Sequence, residues 1–292
     1  MKPPKAAILK KLLKKCAIVI PGAFNAASAL LIERCGYKAV YMSGAGISNS
    51  AGLPDIGILS MDEFVRQARY IANAVKIPVI ADADTGFGGP EEVRETVRAF
   101  EKAGVAGIQI EDQKKATKRC GHLTGKEVIS AKAMAEKIRA ACSARKDKDF
   151  FIIARTDARG VTGFDDAVKR ALIYLDAGAD IIFPEALESK DEFKEFAKRV
   201  RPRTKDFGVG VDAPLMANMT EFGKTPYISV TEFEAMGYSI VIFPMTVFRI
   251  GMNAMENALM ELKKRGTQKG LLKKMQTREE LYKLIRYEGR QP

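Results

Sequence analysis

The segments ERCGYKAVYM (residues 33–42), EKAGVAGIQI (101–110), LDAGADIIF (175–183) and EAMGYSIVIF (234–243) repeat one pattern. In each, a helical stretch ends in glycine, and two or three residues later a β-rich apolar run begins. Gly36, Gly104, Gly178 and Gly237 stand just past a helix end, where positive φ is needed and glycine has no Cβ to clash. Each segment is therefore read as a helix-to-strand junction.

Extending this reading outward gives eight strands, at residues 17–20, 38–42, 78–82, 106–110, 150–154, 180–183, 208–211 and 239–243. Amphipathic helical stretches alternate with them at 26–35, 61–75, 91–103, 130–145, 164–176, 189–199, 231–236 and 246–264. Strands apolar on both faces, strictly alternating with helices, predict a parallel sheet covered by helices. Eight such units fit a closed (β/α)8 barrel. An open doubly wound sheet is the alternative, but GFGG at 86–89 and GAG at 44–46 lack the spacing of a dinucleotide fingerprint.

The 292 residues suit one barrel of ordinary size with extensions: a short basic N-terminal helix and a C-terminal helical segment over about residues 265–292. The composition, 47% hydrophobic and 29% charged, excludes collagen-like and largely disordered chains. The formal charge of +12 is confined to the ends. Residues 1–15 hold six Lys and no acid, and residues 263–292 hold ten Lys or Arg against three Glu, so residues 16–262 sum to −1. Neither end carries the aromatic or motif content of a nucleic-acid docking element, so no nucleic-acid partner is expected. Lysines interrupt any N-terminal signal-like run, and no uncharged stretch approaches the roughly 20 residues of a membrane helix. Cys16, Cys35, Cys120 and Cys142 form no close pair, which predicts reduced thiols in the cytoplasm. Cys16, Cys35 and Cys142, in apolar contexts, read as small core residues.

Chemistry in such a barrel belongs at the C-terminal strand ends. There the sequence carries Tyr41 and Ser43, Asp82 and Asp84, Glu111 and Asp112, Arg155 to Asp157, Glu185, Asp212 and, in the turn after the last strand, Arg249. Asp82 and Asp84 are two apart on an extended segment and so face the same way. Side by side they repel unless a cation neutralises them. With Glu111 from the next strand, an all-oxygen set suits Mg²⁺; alternatively, one Asp caps the following loop and the other is solvated. KRCGH at 118–122 lies in a loop that Gly121 and Gly125 make mobile. Its cations favour the thiolate of Cys120, and His122 is either a surface residue or a participant.

On KRCGH, ADADTGFGG (81–89), YMSGAG (41–46) and ARTDA (154–158), the chain resembles the 2-methylisocitrate lyase family of the isocitrate lyase and phosphoenolpyruvate mutase superfamily. The resemblance runs from PGAFNAASA (21–29) through MQTREELY (275–282). It implies a (β/α)8 barrel whose C-terminal helix is exchanged between subunits, giving homotetramers of swapped dimers. It implies Mg²⁺ held by Asp82 and Asp84, the latter more directly, with Glu111 reaching it through water. Substrate contacts implied by the family motifs fall on Ser43, Gly44 and Ala45, on Cys120 and Gly121, and on Arg155 and Glu185. Others fall on Asn218, Met219 and Thr220, on Arg249 and on Arg278.

The implied reaction is retro-aldol cleavage of a small tricarboxylate, 2-methylisocitrate, to pyruvate and succinate, as in the methylcitrate cycle of propionate catabolism. Cys120 would be the general acid, Lys118 and His122 would tune it, and Tyr41 is a candidate base. Phosphonopyruvate mutases and oxaloacetate decarboxylases lack the KRCGH loop, and isocitrate lyases are usually longer. Phe183 and Pro184 also resemble the methylisocitrate enzymes. Isocitrate and dimethylmalate remain alternative substrates, since one methyl supplies only ~1–3 kcal/mol of discrimination.

Overall fold

A computed structural model describes residues 4–201 and 214–287. Eight parallel strands run in the order β6-β5-β4-β3-β2-β1-β8-β7. They are β1 (Ile18–Ala23), β2 (Val40–Met42), β3 (Val79–Asp82), β4 (Gly107–Glu111), β5 (Phe151–Thr156), β6 (Ile181–Pro184), β7 (Met216–Asn218) and β8 (Ile240–Phe243). A parallel bridge between Ile182 and Leu215 closes the ring, and the Ile182 N–H donates to the Pro214 carbonyl at 3.3 Å. The fold is the (β/α)8 barrel.

Strand periodicity builds two apolar layers. Ile18, Ile20, Tyr41, Ile80, Ile153, Phe183, Met216, Ile240 and Ile242 fill the barrel, while Val40, Met42, Val79, Ala81, Ile108, Ile110, Ile152 and Val241 pack outward on helices. The covering helices are α2 (Ala26–Arg34), α4 (Met61–Ala74), α5 (Pro90–Ala103), α6 (Ala131–Ala144), α7 (Phe164–Asp176), α8 (Lys190–Val200) and α9 (Val230–Ala235). Local chemistry sets their ends. In α5 Pro90 opens the helix, Glu92 accepts the Gly89 N–H at 2.8 Å, and Gly104 closes it at φ +88°. Gly36, Gly178 and Gly237 take positive φ at the other repeat junctions.

Further helical elements accompany these seven helices. Helix α1 (Lys5–Leu13) buries Leu9 completely, in one cluster with Ile18, Ile20 and Phe151, and so seals the N-terminal end of the barrel. Its lysines are not simply solvated: Lys10 pairs with Asp149 at 2.5 Å, and Lys5 donates to the Ala72 carbonyl. Helix α3 (Gly44–Ser50) follows β2 directly, in a stretch to which the sequence pattern assigns no element. Helix α10 (Thr246–Arg265) buries none of its residues, and a 3₁₀ turn (Lys269–Lys274) and α11 (Arg278–Ile285) follow it.

The expected seventh strand, 208–211, and Asp212 lie outside the described residues. The seventh strand of the ring is instead Met216–Asn218, three residues without a β-branched side chain, too short to give a periodic signal. Cys16 and Cys35 are exposed and so are not core residues as expected, whereas Cys142 is half-buried and packs against the core. Cys16, Cys35 and Cys120 are free thiols.

Candidate active site

The alternation that fills the barrel continues into polar residues at its C-terminal end. Asp82 follows Ile80 by two positions, Arg155 follows Ile153, Glu185 follows Phe183 and Asn218 follows Met216, so all four inherit the inward direction. Strand register then sets neighbours: Asp82 lies opposite Gln109, and Glu111 opposite Arg155.

Arg155 is the centre of this layer. Its Nη1 lies 3.1 Å from Glu111 Oε2, its Nε and Nη2 each bond Asp157 at 3.0 Å, and its guanidinium stacks over Phe183 at 5.3 Å. Burial opposes its charge, but Asp157, Glu111 and Glu185 outweigh that and hold it firmly protonated. Burial would likewise raise Glu185; Arg155, His122 and Lys126 prevail and bring it down to about 2.

The carboxylates expected to bind metal surround an ammonium. Lys118 Nζ is 2.7 Å from Asp55, 3.2 Å from Asp84 and 3.9 Å from Glu111. The shared direction of Asp82 and Asp84 does not arise as the spacing suggested, because the strand ends at Asp82 and Asp84 is left-handed at φ +53°. Asp82 Oδ1 instead accepts the Asp84 N–H at 2.9 Å, and Oδ2 accepts the Gly44 N–H at 3.3 Å. Among the described residues no three Asp, Glu, His or Cys side chains converge as a ready ligand set.

The donor set nonetheless fits Mg²⁺, which takes one or two direct carboxylates and keeps several waters. Burial, with Asp55, pushes Asp82 up to about 6, and burial pushes Glu111 well above the usual carboxylate range. Glu111 Oε1 is buried without a hydrogen-bond partner. Oxygens in that state are stabilised by a hard cation.

Above this layer lies a cavity of about 490 Å³. Its lining includes Tyr41, Ser43, Ala45 and Asp82, Cys120, Gly121, His122, Arg155 and Glu185, and Asn218, Thr220 and Arg249. Cys120 is exposed on its loop, yet crowding at the cavity raises its thiol, chiefly by desolvation. The expectation that flanking cations favour thiolate is thus overturned: desolvation, with the Glu185 and Asp55 carboxylates, outweighs the downward pull of Arg155 and of the His122 backbone. His122 Nδ1 accepts the Lys224 N–H at 3.0 Å and Nε2 lies 3.0 Å from Glu185 Oε1. The loop is also anchored, by an antiparallel bridge between Gln113 and Val128 at its base.

Some expected residues sit elsewhere. Lys118, Asp84 and Glu111 lie behind the cavity wall, and Gly44 is turned to Asp82. Met219 is buried, its N–H bound to the Ile242 carbonyl at 2.8 Å and its sulfur receiving the Ile228 N–H. Arg278 belongs to α11, in a surface groove with Tyr282 and Arg286, away from the cavity. Tyr41 donates to Gln109 Oε1 at 2.9 Å, and burial holds it as phenol, a poor base. The sequence reading missed Asp55 and Lys126, because a lone acid or lysine in a loop carries no periodic or motif signal.

With this geometry in view, residues 9–263 match the family model of phosphoenolpyruvate phosphomutase. The chain belongs to the phosphoenolpyruvate phosphomutase family. Among members of this family, a 2-methylisocitrate lyase of Aeropyrum pernix is 53% identical over 281 residues, 96% of this chain and 87% of that protein. The structure of a 2,3-dimethylmalate lyase superposes with TM-score 0.88 at 36% identity, covering 98% of this chain and 92% of that one. A phosphonopyruvate hydrolase solved with oxalate and Mg²⁺ gives TM-score 0.84 at 29% identity, covering 97% and 95%.

Proposed function

We propose that this family member is a carbon–carbon lyase that cleaves 2-methylisocitrate to pyruvate and succinate with Mg²⁺. The observation that carries the reading is Cys120, kept as a thiol at the wall of the cavity beside Arg155 and Glu185. The 53% identity to a 2-methylisocitrate lyase supports the choice of substrate.

Asp82, Asp84 and Glu111 would hold the metal, Asp84 most directly. When bound, Mg²⁺ supplies Lewis-acid stabilisation of negative charge on a substrate oxygen. The chain's own groups do the rest. Ser43 caps α3 and, with Ala45, lines the cavity, so the Ala45 amide and the Ser43 side chain stand where a substrate carboxylate is stabilised, while the Gly44 amide is kept by Asp82. Arg249, Asn218 and Thr220, which also line the cavity, receive another substrate carboxylate.

As the substrate hydroxyl gives up its proton to the Asp55 carboxylate, which lines the cavity, the bond between its carbon and the succinate portion breaks and the electron pair moves onto that portion. Arg155 stabilises the charge developing there. Cys120 then delivers its proton to the new carbanion carbon, which completes succinate. Glu185 and His122 hold the loop side of the cavity, Lys118 holds the carboxylate side, and Tyr41 acts as a hydrogen-bonding phenol.

The exposed Ile250, Met255, Leu259 and Met260 of α10, a helix with no buried residue, support exchange of the C-terminal segment within a homotetramer. Arg278 would reach a substrate only in such an assembly. No helix among the described residues is long and apolar enough to cross a membrane, and the reading places the enzyme in the cytoplasm.

The test is product analysis with methylisocitrate, isocitrate and dimethylmalate at equal concentrations, with and without Mg²⁺. Preferential release of pyruvate and succinate, lost with chelator and in Cys120→Ser, supports the reading. Faster cleavage of either other acid, or near-normal turnover in Cys120→Ser, overturns it.

A further inference from the structure

We propose that Asp157 is the positioning residue that sets the Cys120 loop against Arg155, acting through Lys126 and Gln113. The inference rests on the role given to Cys120 above. Asp157 is fully buried and does not line the cavity. Its carboxylate receives Arg155 twice at 3.0 Å, Lys126 Nζ at 2.6 Å and Gln113 Nε2 at 3.2 Å. Its own N–H donates to Asp112 Oδ1 at 2.8 Å, and Thr156 and Tyr174 hold Asp112 Oδ2 at 2.8 and 2.7 Å. The carboxylate is thus fixed from behind.

The loop is tied to it on both sides of the thiol. Gln113 donates to the Arg119 carbonyl at 2.9 Å and accepts the Arg119 N–H at 3.0 Å. The Lys126 ammonium donates to the Gly121 carbonyl. The peptide groups flanking Cys120 therefore share one anchor with the guanidinium packed beside Gly121. The Lys126 side chain is only 2% exposed, and a lysine is buried so deeply only where its charge is met. Misplacing a reacting group by about 1 Å costs on the order of 100-fold in rate, so this tie bears on the proton transfer without any of its members touching substrate.

Alkylation of each cysteine by iodoacetamide, followed by mass spectrometry, tests the proposal without substrate. In Lys126→Met the Cys120 rate is expected to rise about tenfold with Cys142 unchanged, and Lys126→Arg to restore most of the protection. With methylisocitrate, kcat should fall about 100-fold and KM by less than threefold in either direction. An unchanged Cys120 rate, or Cys120 and Cys142 rising together, overturns the inference. Should Lys126→Met not fold, Gln113→Leu, which unpairs no buried charge, is read in the same way. Failure of wild-type protein to cleave methylisocitrate overturns the proposed reaction and leaves the alkylation result standing.

Discussion

Lys118 Nζ lies 3.2 Å from Asp84 Oδ2, the two side chains only 4% and 7% exposed. Without a divalent ion this ammonium is the cation that compensates Asp84 and its neighbours. Removing one partner of such a buried pair costs ~3–5 kcal/mol. Lys118→Met is therefore expected to lower the melting temperature in chelator, and Mg²⁺ to raise it further in the variant than in wild type. Equal Mg²⁺ shifts in a thermal melt would separate the lysine from the metal site.

The raised thiol of Cys120 sets a pH limit. A general acid works only while protonated, and a value above the ordinary 9.0 keeps this one protonated through neutrality. Turnover should hold to about pH 9 and fall as pH rises through the raised value. An alkaline limb below pH 8 in the kcat profile would show a thiolate-prone cysteine instead.

Glu185 predicts acid behaviour. Its value in the fold, about 2, lies below the ordinary 4.5 because Arg155, His122 and Lys126 outweigh its burial. The stability it contributes, ~3 kcal/mol at most, is complete above pH 4.5 and is lost as pH falls through 2. Glu185→Gln should flatten that part of the acid unfolding curve measured by circular dichroism.

At Gly121 a Cβ would stand 2.5 Å from Arg155 Nη2 and from Glu185 Cγ, so something must shift. Gly121→Ala should reduce kcat/KM by at least tenfold while leaving the melting temperature within a few degrees. A variant with wild-type kinetics would mean that the loop absorbs the methyl freely.

Leu9, with none of its surface exposed, tests the basal seal of the barrel. Leu9→Ala should cost ~2–5 kcal/mol, seen in denaturant midpoint, with activity at low temperature retained because the cavity lies at the opposite end. Loss of activity without loss of stability would contradict that separation.

The barrel was legible because its cause is local. Glycine at helix ends and two-sided apolar strands recur with each unit, so seven strands and the helices between them follow from pattern alone. The seventh did not: Met216–Asn218 is held by its neighbours β6 and β8 rather than by its own residues. Much of the cavity wall was legible too, since period two carries Asp82, Arg155 and Glu185 inward along with the hydrophobics before them.

What the amino-acid order determined by itself was therefore which side chains reach the C-terminal end of the barrel. The tertiary structure alone decided which charges meet there. Asp55 finds Lys118 across 63 positions and Lys126 finds Asp157 across 31, and desolvation at the cavity raises the Cys120 thiol. Protonation depends on burial and on neighbours brought together by folding, and neither is written in the spacing of a motif.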